Sequence, residues 1–87
     1  MTNVNEIQIQ FVKPQDGLIA FASIVLDNQL YLSSIGIFTK LDGGYRLTYP
    51  TKKVGETSLQ IFQPITKELS ELIEQAFIKR LEELNYG

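Results

Sequence analysis

From Leu18 to Phe38 the chain is apolar almost without a break, and the one break decides what this stretch can become. Asp27, Asn28 and Gln29 stand at its centre. A membrane span would carry that aspartate into lipid, where a charge costs several kcal/mol. Two strands joined by a tight turn accommodate the same residues, because Asp and Asn tolerate left-handed backbone. Leu18 to Leu26 is apolar at nearly every position, which fits a central strand. Leu30 to Phe38 is then its neighbour.

The flanking segments extend the sheet. Ile7, Ile9 and Phe11 alternate with Gln8 and Gln10, the period-two pattern of a half-buried strand. Lys13-Pro14-Gln15-Asp16-Gly17 reads as the turn that follows. Asp42-Gly43-Gly44 turns the chain again, and Tyr45, Leu47 and Tyr49 alternate with Arg46 and Thr48 as a fourth strand. The two glycines lead into a strand and not into a helix, so they mark a hairpin turn and not a phosphate loop. Pro50 to Gly55 reads as a loop and Ser58 to Phe62 as a short fifth strand. After Pro64, Thr66 is placed to cap a helix. Leu69, Leu72, Ile73, Ala76, Phe77, Leu81 and Leu84 recur at helical spacing. Arg80 falls inside that apolar stripe and Ile78 on the polar side.

The expected fold is α+β: a five-stranded antiparallel sheet with one C-terminal amphipathic helix packed on it, in a single domain over residues 1–87. A sheet face and a helix stripe each need cover, and here they can cover each other. An 87-residue chain buries only about 60–65% of the surface its unfolded form exposes, so a partner subunit would add to a thin margin.

Composition narrows the function classes. There is no cysteine and no histidine, which removes disulfides, Cys-based metal sites, and the commonest general base and metal ligand. Glu71, Glu74 and Glu82 share a helix face without any partner for acid–base work, so they read as a solvated surface. No enzyme, metal, cofactor or small-molecule substrate is expected. The N-terminal MTNVNEIQ lacks the basic head and apolar run of a secretory signal, so the expected location is cytoplasmic, away from membranes.

The formal charge is −2, which does not describe a strongly basic nucleic-acid domain. Its distribution is uneven. Residues 67–84 carry three cations against five acids, whereas residues 43–55 hold Arg46, Lys52 and Lys53 and no acid. Within RLTYPTKK, Arg46 is expected to point from a strand to solvent. Lys52 and Lys53 follow Pro50 in the expected loop, and Thr51 adds a hydroxyl. Such a segment can hold phosphate oxygens: cations attract, and hydroxyl and backbone N–H groups position. Tyr45 and Tyr49 suit either stacking on bases or burial in the core.

Taken together these segments resemble the stage V sporulation protein G family, also called the septation protein family. Ala22-Ser23-Ile24-Val25-Leu26-Asp27 resembles its signature of a small residue, Ser, Ile, a variable position, Leu and Asp. Leu30-Tyr31-Leu32 with Ile35-Gly36-Ile37 resembles the strand that follows. Gly44 through Pro50-Thr51-Lys52-Lys53 resembles its Gly, apolar strand, Pro, Ser/Thr and basic-pair segment, and Pro64-Ile65 its approach to the last helix. The resemblance implies a small α+β domain that forms a homodimer and acts as a bacterial nucleic-acid-binding regulator of septation, sporulation or virulence expression. It carries Thr51, Lys52 and Lys53 over as binding residues. Arg46 is added from local charge alone. Where the family places an Arg-Asp pair and a His before Pro-Ile, this chain has Ser58-Leu59-Gln60-Ile61-Phe62-Gln63.

The expected function is therefore a dimeric regulator that binds DNA or RNA weakly and in a salt-sensitive way through Arg46, Thr51, Lys52 and Lys53. The alternative is a protein-interaction module that uses the acidic helix face or a sheet edge.

Overall fold

Tight turns on left-handed backbone set the sheet. In the computed structural model, which describes residues 2–84, Val4–Gln15 (β1) reverses at Asp16 and Gly17, with φ of 54° and 90°, into Leu18–Leu26 (β2). That strand reverses at Asp27 and Asn28, with φ of 52° and 56°, into Leu30–Thr39 (β3). The Gln29 N–H donates to the Leu26 carbonyl at 2.9 Å and closes the second turn. Two positive φ values in succession match the right-handed twist of the strands they join. A longer turn leads to Tyr45–Thr48 (β4); there Gly43 has a φ of 96° and the Gly44 N–H donates to Asp42 Oδ1 at 3.0 Å. These strands form one antiparallel sheet in the order β1-β2-β3-β4, with the apolar β2 inside as its composition requires.

The first turn is shorter than its sequence suggests. Strand β1 continues through Lys13 and Pro14, and only Asp16-Gly17 turns. Proline is tolerated there because β1 is an edge strand.

Two bulges keep the apolar residues on one face. Along β3, Leu32 opposes Ile24 and Ile35 opposes Ala22, so the partner strand advances two residues while β3 advances three. Ser34, with a φ of 64°, absorbs the extra residue. Without it Leu32 and Ile35 would face opposite sides, since side chains alternate. Glu6, with a φ of 48°, does the same in β1 between Val4 and Ile9.

The remaining strands correct the sequence reading. Residues expected to form a loop are strand Thr51–Val54 (β5), which pairs with Thr57–Gln60 (β6) across a turn at Gly55 and Glu56. The Ile61 N–H donates to the Pro50 carbonyl at 2.9 Å and closes the base of this hairpin. There are thus six strands among the described residues, and the last two form a separate two-stranded sheet instead of a fifth strand of the main one. Short polar strands of this kind carry no apolar alternation, so their pairing rests on the turn and the backbone ladder. Neither β5 nor β6 approaches another strand or the helix, and every residue of both is exposed.

Helix α1 spans Lys67–Glu83. Thr66 caps it as expected: its Oγ1 accepts from the Leu69 N–H at 3.2 Å, with Glu68 in the first turn and Arg80 in the last, both favourable to the helix dipole. Ile73, Phe77 and Leu81 are fully buried against Ala20, Ala22, Ile24, Ile35 and Ile37. Each such side chain contributes about 1.5–3 kcal/mol relative to exposure. The two small alanines of β2 share this cluster with the large ring of Phe77. Arg80 stays half in water and pairs with Glu83 at 3.2 Å, while Ile78 is half-buried and not stranded in solvent.

Two packing details generate tests. Gly36 opposes Thr48, and a Cβ at Gly36 would lie 2.6 Å from Thr48 Oγ1 and 3.2 Å from the Phe38 ring. Gly36→Ala is expected to cost about 1–3 kcal/mol by overpacking, and Thr48→Ala in the same chain to restore much of it; urea titration of the single and double variants reads this. Tyr49 packs edge-on against Phe62 with ring centroids 6.0 Å apart, and its hydroxyl is buried without a hydrogen-bond partner among the described residues. Burial, and secondarily the charge of Glu74, raise its pKa above the ordinary value. The folded state therefore holds this proton more tightly than the unfolded one, so its contribution is complete below about pH 10 and falls as pH rises beyond it. Tyr49→Phe should raise stability by roughly 1 kcal/mol by removing an unpaired buried hydroxyl, and should flatten the alkaline limb of a melting-temperature profile.

Candidate nucleic-acid interface

The acid-free segment divides between two sheets. Arg46 lies on β4 and is exposed, while its neighbours Tyr45 and Leu47 are half-buried, as their alternation requires. Its guanidinium carbon stands 5.0 Å from the centre of the Phe38 ring on β3, the residue it opposes across the ladder. That contact holds the exposed side chain against the ring, and Arg46 forms no ion pair among the described residues.

Thr51, Lys52 and Lys53 lie on β5, not on a loop. The difference changes what they can do. On a strand, successive side chains point to opposite faces. Lys52 opposes Leu59 and Val54 opposes Thr57, so one face of the hairpin carries Lys52, Val54, Thr57 and Leu59. Thr51 opposes Gln60 and Lys53 opposes Ser58, so the other face is wholly polar. The two lysines are adjacent in sequence and back to back in space. Thr51 and Lys53 share the polar face, and Lys52 shares the other with Val54, Thr57 and Leu59.

Neither ion pair formed among the described residues involves these cations. Lys67 pairs with Glu71 at 3.8 Å and Arg80 with Glu83 at 3.2 Å, both within the helix. Arg46, Lys52 and Lys53 keep their charge available, which is the electrostatic condition for holding phosphate. The helix keeps its surplus acids to itself.

Other expectations sort themselves by burial. Tyr45 and Tyr49 pack against the core, so the stacking option for them falls away. Ser58 and Gln60 join Lys53 on the polar face of the hairpin, which the sequence reading missed. The signal was present: Gly55-Glu56 is a two-residue turn between two four-residue strands, and pairing across it fixes which residues share a face. Among the described residues no group of acids is placed to hold a metal ion, and no helix is long and apolar enough to cross a membrane.

The pieces that carry the resemblance take distinct places in the fold. Ala22 to Asp27 is the inner strand and its turn, Ile35 to Ile37 is the core of β3, and Pro50 to Lys53 is the rising arm of the hairpin. No curated protein matches the chain. The profile of the SpoVG family matches residues 2–83, the whole sheet, the hairpin and the helix together, and the chain thus belongs to the SpoVG family of small bacterial proteins associated with sporulation and septation.

Proposed function

We propose that this protein is a dimeric regulator that grips the backbone of DNA or RNA through its hairpin arm and performs no catalysis. One observation carries the reading. The arm stands clear of the acidic helix and bears two cations that form no ion pair among the described residues, and Arg46 on the adjoining strand adds a third. Backbone contact of this kind is largely blind to sequence and weakens with salt.

The two faces of the arm divide the work. Thr51, Lys53, Ser58 and Gln60 offer a charge and three polar groups to phosphate and sugar oxygens. Lys52, Val54 and Leu59 offer a mostly apolar surface, which Ile61 extends beyond the strand; Val54, Leu59 and Ile61 are all more than half exposed. A two-stranded hairpin alone in water is marginal. Cover by a second copy of the chain would stabilise it and bring both arms to one ligand. The alternative of strand addition at the sheet edge meets obstacles: β1 is interrupted by the bulge at Glu6 and by Pro14, and β4 is four residues long.

Filter binding tests the arm. Lys52→Glu with Lys53→Glu should abolish retention of nucleic acid while the circular dichroism spectrum stays native, and Lys53→Glu alone should account for most of the loss. Unchanged affinity in the double variant would refute the assignment. Four to six neutralised phosphates per dimer give a slope of log affinity against log salt between about −4 and −5 on duplex DNA. Sedimentation tests the apolar face: Leu59→Glu should shift a dimer to monomers, and a variant that sediments unchanged would remove that face from the interface.

A further inference from the structure

The helix covers one face of the four-stranded sheet, and no element among the described residues covers the other. Cross-strand register assigns Phe21 and Ser23 of β2, Tyr31 and Phe38 of β3 and Arg46 of β4 to this open side. Phe21 is 44% exposed and Tyr31 65%, far more than rings on a sheet face need be when a core is near. Between them opens a shallow cleft of about 260 Å³ with Ser23 in its lining, Gln8 and Gln10 along the β1 side, and Ser33 and Ser34 along β3. Gly36 lies directly across from Phe21 and keeps the floor flat there.

We propose that this open face is a platform for unpaired nucleobases, so that the preferred ligand is single-stranded RNA or DNA; the proposal deepens the nucleic-acid reading above and rests on it. The rings of Phe21 and Tyr31 are the stacking surfaces. The amides of Gln8 and Gln10 and the hydroxyls of Ser23 and Ser33 both donate and accept, which suits the mixed edges of bases. Arg46, held over Phe38, is the one charged residue among the paired positions of this face, and its sign suits phosphate. An aromatic face accepts any base, because every base has a π-surface. A duplex cannot use it, because its bases are stacked on one another. An apolar protein surface would fit poorly, since it would strand the amides and hydroxyls that lie between the rings.

Fluorescence anisotropy of the 87-residue chain with labelled oligouridylate, oligodeoxyuridylate and a short duplex tests this. Phe21→Ala and Tyr31→Ala should each weaken single-strand binding by about tenfold and leave duplex binding as it was, and Tyr31→Phe should restore the single-strand affinity. A difference between the two single strands would assign a role to the 2′-hydroxyl on the same platform. Tyr31 is exposed enough that its removal leaves the core intact, so native single-strand affinity in Tyr31→Ala would overturn the proposal. So would a fall in sedimentation coefficient in that variant, which would make the face a contact between copies. If Lys53→Glu abolishes binding while the ring variants bind normally, the platform fails and the arm stands. If the native chain binds none of the three probes, both fail together.

Discussion

One helix has to cover a four-stranded sheet, and it can cover only one side of it. Most of the molecule follows from that. Phe77, Ile73 and Leu81 press on a face that presents Ala20 and Ala22 at its centre and Ile24, Ile35 and Ile37 around them. Small and large side chains in one cluster suit a core of this size, since an interior is packed as densely as an organic crystal. The opposite face gets no such cover. It carries polar side chains between its rings instead of a second apolar layer, which is how an antiparallel sheet lives with water on one side.

The same asymmetry organises charge. Five of the ten acids lie in the helix segment 67–84, and its ion pairs are local to it. Arg46 and the lysines of the arm lie outside it. A chain of net charge −2 can then present a positive feature to an anionic polymer while its helix repels it. In the nucleic-acid reading proposed above, that contrast would orient the ligand more than it would tighten its binding. Exposed pairs such as Lys67 with Glu71 add only about 0.3–0.5 kcal/mol to the helix, so the acidic face is better understood as a constraint on approach than as a source of stability.

The elements that were legible in the sequence are those whose pattern is set by burial. The β2 strand announced itself through unbroken apolar character, α1 through helical spacing and the Thr66 cap, and Asp27-Asn28 through residues that accept left-handed backbone. The β5–β6 hairpin was not legible, because nothing on it is buried and Pro50 signals a loop as readily as a strand start. Its misreading propagated: on a loop Lys52 and Lys53 form one basic pair, whereas on a strand they face apart. The SpoVG family resemblance pointed to Thr51, Lys52 and Lys53 as one segment, and the hairpin register sets Lys52 and Lys53 on opposite faces.

The bulges show how a pattern can be present and still mislead. Leu30 and Leu32 occupy even positions and Ile35 and Ile37 odd ones, so strict alternation would divide β3 between two faces. A single residue of slack at Ser34 brings the later pair back in phase, at the cost of a left-handed, non-glycine φ of 64°. That slack lies beside the cleft flanked by Phe21 and Tyr31. A distortion needed to seal the core on one side thus shapes the surface on the other, because a strand has two faces and one backbone. In a domain this thin, with a single layer of helix over a single layer of sheet, a residue placed for stability sits only a strand's thickness from any ligand bound on the open face.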